Sequence, residues 1–82
     1  MHVIEDEKSD AVYIYLSDQR PAGTRQIEPG TIVDLDEDGR LIGIEVICRH
    51  RAWPVEAILG AFTVSEADET RLRRLARLTG TD

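Results

Sequence analysis

The sequence predicts an α+β domain: an antiparallel sheet of about four to five short strands built from hairpins, followed by a short helix and a longer C-terminal helix. Three observations carry that expectation. Two β-branched runs flank the turn residues Asp36-Glu37-Asp38-Gly39, residues 11–16 alternate with period two, and after Cys48 the apolar spacing changes to about 3.6. The 82 residues fit one domain, 1–82, with a β-rich part over 1–48 and a helical part over 49–82.

The elements follow in order. Val3 and Ile4 belong to a short first strand, and the polar stretch 6–10 has the length of a hairpin loop. In the next strand Val12, Ile14 and Leu16 share one face while Tyr13 and Tyr15 take the other. Residues 18–23, with Pro21 and Gly23, read as a loop, and residues 24–27 as a short strand stopped by Glu28-Pro29-Gly30. Residues 31–48 form a hairpin whose type I turn needs Gly39 in the left-handed conformation. If Asp36 opposes Arg40, then Val33, Leu35, Leu41 and Ile47 share one face and Ile32, Ile42, Ile44 and Val46 the other. Both faces would then be largely apolar and need cover. Beyond Cys48, Val55, Ile58, Leu59 and Phe62 fall at helical spacing behind Pro54, which predicts a helix over about 54–59 ended by Gly60. Ser65 followed by Asp68 resembles a capping box for a last helix over about 66–78, with Leu72, Leu75, Ala76 and Thr79 as a narrow stripe and Glu69, Arg73 and Arg77 one turn apart.

Composition limits both stability and function. A chain this small buries only roughly 60 to 65% of its unfolded surface, and the single Cys48 rules out an internal disulfide, so a partner subunit or a metal becomes a candidate support. The net charge of −6 argues against general nucleic-acid affinity. It is unevenly spread: residues 1–48 hold eleven acids and four bases, while residues 49–82 hold five acids and six bases, so an acidic sheet joined to a mildly basic tail can pair with itself. No run is apolar enough for a membrane span and Glu5, Asp6 and Glu7 stand where a signal peptide would be cationic or apolar, so a cytoplasmic location is expected.

Three blocks, Ala11-Val12-Tyr13-Ile14-Tyr15-Leu16, residues 30–39 (GTIVDLDEDG) and Gly43-Ile44-Glu45-Val46, occur in an order that resembles the small prokaryotic family called domain of unknown function 2283. The resemblance covers about residues 2–48. It implies a β-rich domain, brings no catalytic or binding residues, and associates the chain with an antitoxin or accessory role beside small toxin-like proteins.

Several constellations carry chemistry in principle. Asp34, Asp36, Asp38, Gly39 and Glu45 match the calcium-loop pattern D-x-D-x-D-G-x5-E. The flanks are strands rather than helices, and Glu45 lies six residues along a strand from Gly39, roughly 20 Å away at about 3.3 Å per residue. Asp34, Asp36 and Asp38 remain weak candidates for a cation, against the plainer reading of a solvated turn. Cys48, His50 and His2 are too few for a structural zinc site in one subunit, and the first two read as a strand end and a surface residue. Arg49, Arg51 and Trp53 form one basic-aromatic cluster and Arg71, Arg73, Arg74 and Arg77 a second, whose alternatives are ion pairing, helix-dipole stabilisation and a packing tryptophan. The acids at Asp6, Glu7, Asp10 and 34–38 lie in turns, where Asp is expected for backbone reasons and stays solvated, so no catalytic constellation, cofactor or resident metal is expected. The expected function is a non-catalytic protein–protein interaction module, a homodimer or an antitoxin-like accessory partner of a small protein, using Ile32, Ile42, Ile44, Val46 and Trp53. A metal-responsive or nucleic-acid-binding regulator is the alternative.

Overall fold

A computed structural model describes residues 1–47 and 52–79, the side chains of the last two excepted. Five strands, β1 (His2–Asp6), β2 (Ala11–Tyr15), β3 (Gly23–Glu28), β4 (Thr31–Leu35) and β5 (Leu41–Ile47), precede two helices, α1 (Val55–Ala61) and α2 (Glu66–Thr79). The strands form one sheet in the order β1-β2-β5-β4-β3, antiparallel throughout. The chain therefore leaves β2 through residues 16–22, crosses to the far edge, and returns strand by strand until β5 closes the gap beside β2. Among the described residues no helix is long and apolar enough to cross a membrane.

The central hairpin forms as its turn residues dictate. Gly39 adopts φ 79° and its N–H donates to the Asp36 carbonyl at 3.0 Å, while Asp36 N–H donates to the Arg40 carbonyl at 3.0 Å. The Asp36 carboxylate draws the loop together, accepting from Asp38 N–H at 2.9 Å and Arg40 N–H at 2.8 Å through the same oxygen. Asp36 thus opposes Arg40 and Leu35 opposes Leu41, as expected. Beyond that point the register shifts, so that Asp34 opposes Gly43 and Val33 opposes Ile44. The extra residue is a β-bulge in β5, which leaves consecutive Leu41 and Ile42 both buried. The Ile42 carbonyl accepts from Leu16 N–H at 2.9 Å and from Ser17 N–H at 3.3 Å, tying the bulge to the end of β2.

That single residue corrects the expected faces, because a one-residue slip exchanges the two sides of a strand. Val33 joins Ile44, Val46, Val12 and Ile14 on one face, whereas Ile32 and Ile47 lie on the other with Tyr13, Tyr15, Asp34 and Glu45. One face is apolar and covered; the other is mixed and open. The expectation of two largely apolar faces does not hold.

Both helices lie on the apolar face. Trp53, Ile58 and Leu72 complete a cluster with Val12, Ile14, Val33, Leu41, Ile44 and Val46, and Leu75, Ala76, Phe62 and Val64 pack around it. Thr79, expected in the same stripe, has its side chain outside the described residues. Pro54 stands just before α1 rather than within its first turn, and α1 runs through Gly60 to Ala61, with Phe62 N–H donating to the Ile58 carbonyl at 3.1 Å. Ser65 caps α2 as its hydroxyl predicts, accepting from Asp68 N–H at 3.2 Å. Arg73 holds the helices together: its guanidinium donates to both Glu56 oxygens, at 2.9 and 3.1 Å, and reaches Glu69 one turn earlier at 2.7 Å. This pairing holds the Glu56 carboxyl below its ordinary value.

Two substitutions test this packing. Leu72 is fully buried, so Leu72→Ala should lower unfolding free energy by about 2 to 5 kcal/mol in urea titration. Gly60 sits in a helix with open space where a Cβ would stand, so Gly60→Ala should raise it by about 0.5 to 1 kcal/mol.

Candidate functional site

The open face is the side of the sheet that no described element covers. Cross-strand pairing arranges it in rows, since directly opposed residues share a side. One row runs His2, Tyr15, Gly43, Asp34 and Thr24; the next runs Ile4, Tyr13, Glu45, Ile32 and Gln26; Asp6, Ala11 and Ile47 begin a third. None of these is Lys or Arg. Apolar surface stays exposed among the carboxylates: Ile4 is 45%, Ile47 42% and Tyr15 39% accessible.

The two tyrosines organise the centre. Their rings stack at 6.1 Å between centroids and 15° between planes, and the His2 ring lies 6.2 Å from Tyr15 at 39°. Tyr13 donates its hydroxyl to Glu45 Oε1 at 2.5 Å. Removing that proton would break a charge-assisted hydrogen bond and place a phenolate beside two carboxylates, so the Glu45 bond first, then partial burial and the charges of Glu45 and Asp34, push the Tyr13 phenol up to about 12. Asp34 is held in turn by the Thr24 hydroxyl, which donates at 3.1 Å.

The other expected site residues are placed differently. Ile42, Ile44, Val46 and Trp53, four of the five expected interaction residues, are buried inside the subunit at 5%, 2%, 2% and 6% accessibility. The bulge and the two helices take them into the protein's own core. Only Ile32 lies on the open face, half-buried. Asp34, Asp36 and Asp38 do not converge: Asp34 stands on the sheet with Thr24, Asp36 is engaged by turn amides, and Asp38 is exposed at the tip. Glu45, the last position of the calcium-loop string, is bonded to Tyr13. Among the described residues no group of three His, Cys, Asp or Glu could hold a metal ion. Cys48, Arg49, His50 and Arg51 lie outside the described residues.

The helical arginines separate. Arg73 is bound by Glu56 and Glu69, Arg71 and Arg74 line a groove with Met1, Val3 and Leu75, and Arg77 lines another with Trp53 and Val55. A third groove contains Ser17, Asp36, Arg40, Thr63, Ser65 and Asp68. Its serine hydroxyls serve the backbone, Ser65 capping α2 and Ser17 accepting from Gln19 N–H at 3.2 Å.

The sequence carries only faint signs of the Tyr13–Glu45 pair. Alternation in β2 places both tyrosines on one side, and an acid inside the apolar run 41–47 is the remaining signal, but nothing local says that β2 and β5 are neighbours.

The fold is that of a small α+β domain, a five-stranded antiparallel sheet backed on one side by two helices. A family model described as protein of unknown function (DUF2283) matches residues 6–47, more than half of the chain, and the protein belongs to that family. The match spans β2 to β5, takes in only Asp6 of β1, and stops before the helices. No curated protein and no solved structure matches the chain.

The tyrosine pair sets a pH dependence. A folded-state pKa of about 12 against an ordinary 10 means that the pair's contribution to stability is fully present below pH 10 and is lost as pH rises through about 12. Alkaline titration followed by ultraviolet absorbance should show a phenol ionising near 12 that moves down in Glu45→Ala.

Proposed function

We propose that this protein is a non-catalytic protein–protein interaction module whose open sheet face docks a partner offering apolar and cationic side chains. The reading is that of an accessory, antitoxin-like partner of another small protein, acting in the cytoplasm, where a lone thiol such as Cys48 stays reduced. One observation supports it most: Ile4, Tyr15 and Ile47 are exposed on a face that also carries Asp34 and Glu45 and, among the described residues of its strands, no Lys or Arg. Aromatic side chains stacked on a rigid sheet make good anchors, since they bury a large area while losing few rotamers. Glu45 and Asp34, each already oriented by a hydroxyl, offer carboxylate oxygens to an incoming guanidinium or ammonium.

The same charges disfavour phosphate. A nucleic acid laid on this face would meet carboxylates, and the most central helical arginine, Arg73, is already occupied by two glutamates.

The test is calorimetric titration of the protein with the product of the adjacent gene. A complex should form, and Tyr15→Ala and Ile47→Ala should each weaken it about tenfold or more, while Glu37→Ala at the hairpin tip leaves it unchanged. Equal affinity for all three variants would overturn the assignment of the face, and the absence of any complex would overturn the partner.

A further inference from the structure

The two edges of the sheet are not alike. β3 begins on Gly23, carries a register shift between Gln26 and Glu28, and has Arg25 drawn across it to lie 5.6 Å from the Phe62 ring centroid. Pro21 and Pro29 flank it. Bulges, prolines and charged side chains, lysine above all, are the devices that discourage an edge strand from pairing with another chain. β1 has neither bulge nor proline, and its charges, Glu5 and Asp6, are confined to one end of the strand. Its sequence His-Val-Ile-Glu-Asp contains no Gly, Pro, Lys or Arg, it pairs with β2 in unbroken register over all five residues, and every one of the five is exposed. Of the large hydrophobic residues exposed among the described ones, Val3 and Ile4 belong to β1 and Met1 adjoins it.

We infer that β1 is a self-pairing edge, where a second copy of this chain adds its own β1 antiparallel to form one continuous ten-stranded sheet. A twofold axis normal to the sheet keeps both helical layers on one side and requires opposed residues to share a face. Centring the axis on Ile4 uses the whole strand. Ile4 then meets its own counterpart on the open face, and His2 opposes Asp6 of the partner subunit. On the helical face Val3 opposes Glu5 of the partner subunit, and Val3 lines the groove that also contains Arg71 and Arg74. The acidic edge of one copy is thereby set against the basic helix margin of the other, twice over by symmetry. Centring on Glu5 instead would set that carboxylate against its own copy, and centring on Val3 would leave Asp6 beyond the paired stretch. Like charge disfavours the register centred on Glu5 and paired length the one centred on Val3, while the Arg71 and Arg74 margin beside Glu5 of the partner subunit fits a second copy of this chain.

This pairing takes only Ile4 at the margin of the open face and leaves Tyr15, Ile47, Asp34 and Glu45 uncovered, so it stands or fails separately from the docking proposed above, which is read at Tyr15 and Ile47. The experiment is sedimentation equilibrium of the full chain over a concentration series. The native protein should be a dimer, Ile4→Lys should weaken the dimer about tenfold or more with unchanged circular dichroism, and Gln26→Lys, the same charge on the opposite edge, should leave it intact. Glu5→Arg should weaken it as well, and Arg71→Glu with Arg74→Glu in that background should restore it. A monomeric native protein overturns the inference, as does a dimer indifferent to Ile4→Lys, or one weakened equally by Gln26→Lys.

Discussion

The bulge at Leu41 and Ile42 is the constraint on which the remaining structure depends. It inserts one residue between the turn and the rest of β5, and so decides which half of the central strand faces the helices. With it, Ile44 and Val46 line up beside Val33, Ile14 and Val12 to make a continuous apolar surface; without it, Gly43 and Glu45 would face inward beside Val33. Burying Glu45 away from Tyr13 would leave a charge without a partner in the core, a penalty of several kcal/mol. The hydrogen bonds from Leu16 and Ser17 to the Ile42 carbonyl anchor the bulge, so β2 sits where β5 needs it.

Most of the elements were legible in the sequence because their causes are local. The Asp36-to-Gly39 turn, the alternation of Val12 and Ile14 with Tyr13 and Tyr15, the Ser65 cap and the Glu69–Arg73 pair each depend on residues within a few positions of one another. Register was not legible in the same way. Asp36 does oppose Arg40, yet the inference from that pairing to the faces of the strands failed, since a bulge is a response to packing between β5, β2 and the helices. The expected interaction residues follow from the same inference: Ile42, Ile44 and Val46 belong to a face that the sequence predicts to lack cover, and Trp53 to a basic-aromatic cluster, yet all four are buried within the subunit. Helix α1 offers a smaller example, where Gly60 was read as a stop although nothing at that position requires a positive φ, and the helix continues to Ala61.

The Tyr13–Glu45 pair shows how the open face can be polar and ordered at once. A phenol bonded to a carboxylate has both groups satisfied before any partner arrives, and the stacked Tyr15 ring loses little freedom on contact. Preorganisation of this kind reduces the entropic cost of association. The acids of the turn play a separate part, because Asp36 commits one carboxylate oxygen to two backbone amides and so ties the hairpin loop to itself.

The helical layer is also made after the sheet that it covers. All five strands leave the ribosome before Trp53, Ile58 and Leu72, which complete the core from residues 52–79. At about 5 to 20 residues per second, synthesis of that segment takes roughly one to six seconds, during which the greasy side of a nascent sheet has nothing to rest on. The newborn chain therefore passes through a window in which chaperone capture and misassembly compete with the arrival of its own lid.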